Sequence, residues 1–237
     1  MKIAMIIPAH NEENVISATI ENIINKLNLD FEIIIVDDHS TDNTAAIVKE
    51  LIRRNSSIRL VFNDLGRGFG DALRKGFSVA NSDLVIPIMA DQCDDPLTIQ
   101  KMHEQVCSGY DVVCGSRYMS GGKKLGGPVL QSVFSRFVGR SLKYLVGIPT
   151  HDVSNSFKCY RINVLDAITI QSKGFEISME IALRAYFAGF KITEVPTSWQ
   201  GRVMGRSKFY LFKVAPDYFR LYLWAISSKK RRDSWQM

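Results

Sequence analysis

The chain has 237 residues, 46% apolar and 23% charged, with a formal net charge of +6. These are globular proportions that exclude a disordered chain, and no apolar run reaches the ~18–20 residues of a membrane-spanning helix. The charge is uneven: residues 1–111 carry 17 acidic and 10 basic side chains, residues 112–151 six basic and none acidic, and residues 195–237 nine basic and two acidic. An acidic first half suits a bound cation, and a basic second half suits an anion or an anionic surface.

Lys2 to Pro8 is an apolar run that stops at proline and predicts a buried strand. Val15, Ile16, Ile20, Ile23, Ile24 and Leu27 follow at three- and four-residue spacing, the pattern of one helix face. Phe31–Val36 predicts a second strand, ending in Asp37-Asp38. Ser40-Thr41-Asp42 then offers cap oxygens for a helix over 43–54. A third strand over Ile58–Phe62 leads through the glycine-rich Leu65–Gly70 into a helix near 70–80. Leu84–Met89 is a fourth strand with Asp91 just past its end. Asp95-Pro96 opens the next helix, and Asp111–Gly115 is a fifth strand. Beyond 120 the pattern loosens: glycines at 121–122 and 126–127 flank an expected mobile loop, and 129–147 reads as a helix. Phe157–Tyr160, a helix around 176–188 and Lys191–Val195 form a second strand–helix set.

Strands alternating with helices over short joints predict an α/β fold, a mostly parallel sheet with helices on both faces. Ligands of such sheets lie beyond the carboxyl ends of the strands. The polar clusters Pro8–Glu12, Val36–Ser40 and Met89–Pro96 sit at three of those ends and are expected to converge. Four cysteines and four histidines are scattered without a Cys-x-x-Cys pair, which argues against a zinc site and for free thiols in a reducing compartment. The short apolar stretch at the start breaks at His10-Asn11-Glu12-Glu13, too early for a secretory signal, so the expected location is cytoplasmic.

With these clusters go Gly115-Ser116-Arg117-Tyr118 and Gly121-Gly122, the stretch from Asp152 through Phe157 to Arg161, and Gly174-Phe175 with Met179-Glu180-Ile181. Glu194-Val195-Pro196 and Arg202-x-x-Gly205-x-Ser207-Lys208 complete the set. Over about residues 2–210 the chain resembles family 2 glycosyltransferases of the GT-A (Rossmann-like) fold, especially the dolichyl-phosphate mannose synthase branch and its polyprenyl-phosphate relatives. The resemblance implies one GT-A domain over 1–208, with a nucleotide-sugar half (1–115) and an acceptor half (116–208). By the same resemblance Pro8, His10, Glu12, Val36, Asp38 and Ala90 hold a nucleotide sugar, a GDP- or UDP-hexose. Asp91, with Asp94 as a second candidate, binds Mg²⁺ or Mn²⁺, hard cations suited to carboxylate oxygen. Arg117, Ser135, Arg136, Arg202, Ser207 and Lys208 meet the phosphate of a polyprenyl phosphate, and Asp91, Arg117 and Arg202 carry the catalysis. The chain departs from the branch pattern at Met89, where aspartate is usual, and at Cys93, Gln131, Asn155-Ser156 and Glu176.

A phosphate acceptor is anionic at neutral pH and needs no general base, so positioning and charge stabilisation carry such a reaction, with inversion at the anomeric carbon. Seven of the 24 aromatic residues fall between Phe209 and Trp224, followed by Lys229-Lys230-Arg231-Arg232. Aromatics beside a cationic cluster suit the headgroup level of an anionic membrane, so residues 209–237 are expected to form an amphipathic, membrane-associating tail at the cytoplasmic face. The other reading of that tail is a core-packing helix kinked at Pro216. No nucleic-acid-binding motif occurs. Two functional alternatives stay open: a family 2 transferase acting on a saccharide hydroxyl, and a non-catalytic nucleotide-sugar-binding protein.

Overall fold

The computed structural model describes residues 1–202 and 210–234. β1 (Ile3–Ala9), β2 (Phe31–Asp37), β3 (Ile58–Phe62) and β4 (Leu84–Pro87) alternate with α1 (Ile16–Lys26), α2 (Thr44–Arg54) and α3 (Phe69–Val79). After β4 come α4 (Thr98–Cys107), β5 (Val112–Ser116), β6 (Lys123–Leu125) and the long α5 (Val129–Val146). β7 (Lys158–Arg161), α6 (Ile162–Ala167), α7 (Ile177–Phe187), β8 (Ile192–Pro196), β9 (Ser198–Gln200) and α8 (Leu211–Ser234) complete the chain.

The main sheet has seven strands in the order β3-β2-β1-β4-β7-β5-β8. Every described pairing in it is parallel except those of β7, which lies antiparallel between β4 and β5. The order reverses at β1, whose neighbours are β2 and β4. That reversal opens a crevice beyond the carboxyl ends of β1 and β4, and two of the polar clusters occupy it.

Why β1 and β2 are strands follows from their burial. Both faces of the sheet are covered, so apolar residues run continuously instead of alternating with polar ones. Ile3, Met5, Ile7, Ile33 and Ile35 pack with α1 and α4 in one core; Ala4, Ile6, Ile34 and Val36 pack with α3 and α7 in the other. α3 lies close on β1 because Gly76 carries no side chain: a Cβ there would come within 2.2 Å of Ile6 Cγ2.

A third core joins α5, α7 and α8 through residues such as Val138, Leu142, Met179 and Leu183. Tyr218, Leu221 and Ala225 of α8 are buried in it, while Phe212, Phe219 and Leu223 face solvent. α8 thus has one packed face and one exposed apolar face. The expected loop over 120–128 contains β6, which pairs in parallel with β9 as a separate two-stranded sheet. Three residues bonded to a distant partner give no periodicity for a sequence pattern to reveal.

Candidate active site

The chain leaves β1 in a tight turn, with Asn11 at φ 55°, and the β2 turn is laced to it. Asp38 N–H donates to the Ala9 carbonyl (2.7 Å), His10 Nδ1 lies 2.7 Å from the Asp38 carbonyl oxygen, and Glu12 N–H donates to Thr44 Oγ1 (2.9 Å). The Asp38 carboxylate accepts from Asn63 Nδ2 (2.8 Å) and from Gly68 N–H (2.9 Å). It therefore straps the glycine-rich segment to the β2 end. Pro8 and Val36 face each other across the two strands, and the Val36 side chain is buried below the crevice.

The β4 end is locked more tightly. Met89 N–H donates to Asp94 Oδ2 (3.1 Å), Cys93 N–H to Asp91 Oδ1 (3.2 Å), and the Ala90 carbonyl accepts the Thr19 hydroxyl (2.6 Å). Gln92 takes a left-handed conformation, φ 61°, to make this turn. Arg202 then closes over it: Nε donates to Asp91 Oδ2 (2.9 Å) and Nη2 to Glu12 Oε1 (3.2 Å). Burial works against the Arg202 charge, but Asp91 and Glu12 outweigh it and raise its pKa. Burial, and then the neighbouring Asp91, push the Cys93 thiol far up, so it stays protonated.

Asp94 is buried, and desolvation, helped by the Asp91 charge, raises its pKa to about 7. A carboxyl whose folded pKa exceeds its unfolded value of 3.8 stabilises the fold below that value, and the contribution fades as pH rises through about 7. Asp94→Asn keeps an acceptor for Met89 N–H and removes the buried charge. Thermal melts should show the variant gaining a few kcal/mol over the wild type at pH 8, with the gain vanishing towards pH 4. A gain independent of pH would show that Asp94 does not titrate in this window.

Across the crevice the Arg117 guanidinium is clamped by Asp152, Nε to Oδ2 (2.7 Å) and Nη2 to Oδ1 (2.8 Å), while Arg117 N–H also donates to Oδ2 (3.0 Å). Asp152 is fully buried and Arg117 nearly so. Burial opposes the Arg117 charge, and the Asp152 carboxylate more than restores it, holding its pKa above the usual arginine range. α5 comes close to this loop at Gly139, where a Cβ would sit 2.1 Å from the His151 carbonyl oxygen. That approach carries Ser135, four residues earlier on α5, to the same cavity wall.

Asp91, Arg117, Ser135 and Arg202 line one cavity of about 310 Å³, joined by Phe134, Asn155, Trp199 and Tyr218. Pro8, His10, Glu12, Val36, Asp38, Ala90, Asp94 and Arg136 are not on its wall: Asp94 is buried with its Oδ2 taken by the Met89 N–H, and Arg136 places its guanidinium carbon 5.1 Å from the centre of the Tyr118 ring. Ser207 and Lys208 lie outside the described residues. Asp152 and Trp199 were missed as site residues. A signal for Asp152 existed, since it is the first carboxylate after forty residues without one.

Among the described residues no cluster of three or more His, Cys, Asp or Glu side chains stands ready for a metal. Asp91 nevertheless fits a Mg²⁺-like ion, which takes one or two protein carboxylates and completes its octahedron with water and substrate phosphate. Its carboxylate is hard, on the cavity wall, and oriented by the Cys93 N–H.

The sequence profile described as "Glycosyl transferase family 2" matches residues 4–169. The chain is 30% identical over 235 residues to a dolichol-phosphate mannosyltransferase of Pyrococcus furiosus, covering 94% of this chain and 64% of that protein. It is 28% identical over 241 residues to a polyprenol monophosphomannose synthase of Mycolicibacterium smegmatis, covering 96% and 88%. Among solved structures, glucosyl-3-phosphoglycerate synthase from Mycobacterium tuberculosis, in complex with Mn²⁺, UDP-glucose and phosphoglyceric acid, superposes with a TM-score of 0.71 at 18% identity. That match covers 95% of this chain and 80% of the other, and it concerns the fold.

Proposed function

The chain belongs to glycosyl transferase family 2, and from that premise we propose that it transfers a hexosyl group from a nucleotide sugar to the phosphate of a polyprenyl lipid. The observation that carries this reading is the cavity wall itself, which holds both Asp91 and the Asp152-clamped Arg117. A carboxylate at the switch point suits the cation that accompanies a nucleoside diphosphate, and the guanidinium N–H groups of Arg117 that Asp152 does not take suit a phosphate oxygen. The names of the two relatives point the same way.

In this reading the turns at Pro8–Glu12, Val36–Asp38 and Ala90 receive the nucleotide, and Arg117 and Ser135 orient the acceptor phosphate. A phosphate oxygen attacks the anomeric carbon, the bond from that carbon to the diphosphate breaks, and the configuration inverts. No general base is needed, because the nucleophile arrives deprotonated. Arg202, already paired with Glu12 and Asp91, stands where charge grows on the leaving diphosphate. Asp91 would hold a Mg²⁺ or Mn²⁺ ion, whose chemistry there would be Lewis-acid stabilisation of that leaving group; glucosyl-3-phosphoglycerate synthase has been solved with Mn²⁺ and UDP-glucose and with Mg²⁺ and UDP. Incubation with a panel of GDP- and UDP-hexoses and either a polyprenyl phosphate or an oligosaccharide tests the acceptor class. Transfer to the lipid phosphate is expected; transfer to the sugar hydroxyl alone contradicts it.

In the same proposal the reaction takes place at a membrane surface. Among the described residues no helix is long and apolar enough to cross a membrane. Val129, Val133 and Phe137 of α5 are exposed beside Arg136 and Arg140, around a groove of about 700 Å³. An apolar face edged with arginine suits the acyl–headgroup boundary of an anionic leaflet, and the exposed Phe212 and Phe219 of α8 add to it. Lys229-Lys230-Arg231-Arg232 form the basic run at the end of the sequence. Replacing Lys229, Lys230, Arg231 and Arg232 by alanine removes about 1 kcal/mol each, so partitioning to phosphatidylglycerol vesicles should fall roughly a thousandfold at low salt. Unchanged sedimentation with the vesicles would refute the basic anchor.

A further inference from the structure

Charge is unevenly compensated around the cavity. Arg117 is neutralised by Asp152, and Arg202 is shared between Asp91 and Glu12. Lys124, on β6, differs from both. Its Nζ donates to Ser132 Oγ (2.6 Å) and lies 5.0 Å from the centre of the Trp199 ring, and among the described residues no carboxylate forms an ion pair with it. Trp199 and Gly127 form part of the cavity wall. Gly127 sits at φ +77°, and a Cβ added there would meet Trp199 at 3.0 Å and Lys124 Cε at 3.6 Å. The lysine stem therefore lies directly behind a stretch of wall that has no side chain of its own.

Ser132 also belongs to α5, on the lining of the exposed apolar groove that holds Arg136 and Arg140. Lys124 is on neither wall, but it touches a residue of each: Trp199 of the polar cavity and Ser132 of the apolar groove. A lipid phosphate, with its headgroup in the cavity and its chain along the groove, would place its charge between them. We infer that Lys124 is a further acceptor-phosphate ligand, resting on the Ser132 hydroxyl until the anion arrives and supplying the positive charge that Arg117 and Arg202 have already committed to carboxylates. This rests on the proposed lipid-phosphate acceptor.

The energetics favour such a handover. The Ser132 hydroxyl is a neutral partner that also donates to the Pro128 carbonyl (3.1 Å), whereas a phosphate oxygen gives a charge-assisted bond about twice as strong. Partial burial first, and then the charge of Arg117, lower the Lys124 pKa to about 8; Asp152 opposes them weakly. The ammonium is therefore held at a cost that an added anion relieves. Lysine suits this task better than arginine, since its flexible stem and rotatable donors can leave one oxygen for another.

The test compares farnesyl phosphate with farnesol in binding to the intact chain, read by fluorescence of Trp199 with Trp199→Phe as the control for signal origin, and by calorimetry. The wild type should bind the phosphate at least tenfold more tightly than the alcohol. Lys124→Met should lower phosphate affinity tenfold or more, the scale of one charge-assisted bond, while leaving farnesol and nucleoside diphosphate affinities unchanged. Lys124→Arg, which keeps the charge, should recover most of the loss. Equal phosphate affinity in wild type and Lys124→Met overturns the assignment, as does an equal loss for phosphate and alcohol, which would make Lys124 only a support for Trp199. If the wild type itself does not distinguish phosphate from alcohol, the acceptor class fails, and this role fails with it.

Discussion

Asp91→Asn is expected to reduce turnover at least about 100-fold, the scale of losing one main electrostatic stabiliser of a leaving group. The fold should survive, because asparagine still offers an oxygen to the Cys93 N–H, and Arg202 keeps Glu12 as its second partner. What is lost is the hard anionic oxygen on the cavity wall. Chelation with EDTA should mimic the substitution in the wild type, with Mg²⁺ or Mn²⁺ restoring the rate. Steady-state rates alongside thermal melts separate the two effects. Full activity in EDTA would remove the cation from the reaction and leave Asp91 as a partner for Arg202 alone.

The largest effect on stability is expected at Asp152. This carboxylate is fully buried and takes three hydrogen bonds from Arg117, two from the guanidinium and one from the backbone N–H. Removing it by Asp152→Ala strands a buried cation, a change that typically costs about 3–5 kcal/mol, or roughly 10 °C in a domain of this size. The double variant Asp152→Leu with Arg117→Met replaces the pair by apolar groups and should recover much of the stability, though not the activity. Urea unfolding of the single and double variants decides it. A loss below about 1 kcal/mol for Asp152→Ala would mean that the pair is effectively solvated.

The first half of the fold was legible because its physics is local. Continuous apolar runs such as Ile3–Ile7 and Ile33–Val36 have one use in a globular chain, as strands covered on both faces, and the helices between them carry their own three-to-four spacing. Strand direction is not local: Phe157–Tyr160 reads as a strand, but only the finished sheet turns β7 antiparallel. α6 has six residues, and β6 and β9 three each, too few to show a period. Within the site, Asp91 was legible from its place just past a strand. Its pairing with Arg202, 111 residues away, and that of Arg117 with Asp152, 35 residues away, are products of the fold. So is the contrast between Asp91 on the wall and Asp94, buried off it, since both residues look alike in a run of acidic side chains.

The proposed nucleophile is an oxygen of a lipid phosphate. Phosphorus NMR of the product formed from a nucleotide hexose and farnesyl phosphate tests it most directly. The phosphate monoester signal should be replaced by that of a phosphodiester, with the hexose attached in the configuration opposite to that of the donor. A monoester left intact while hexose is released to water or appears on a saccharide hydroxyl would contradict it.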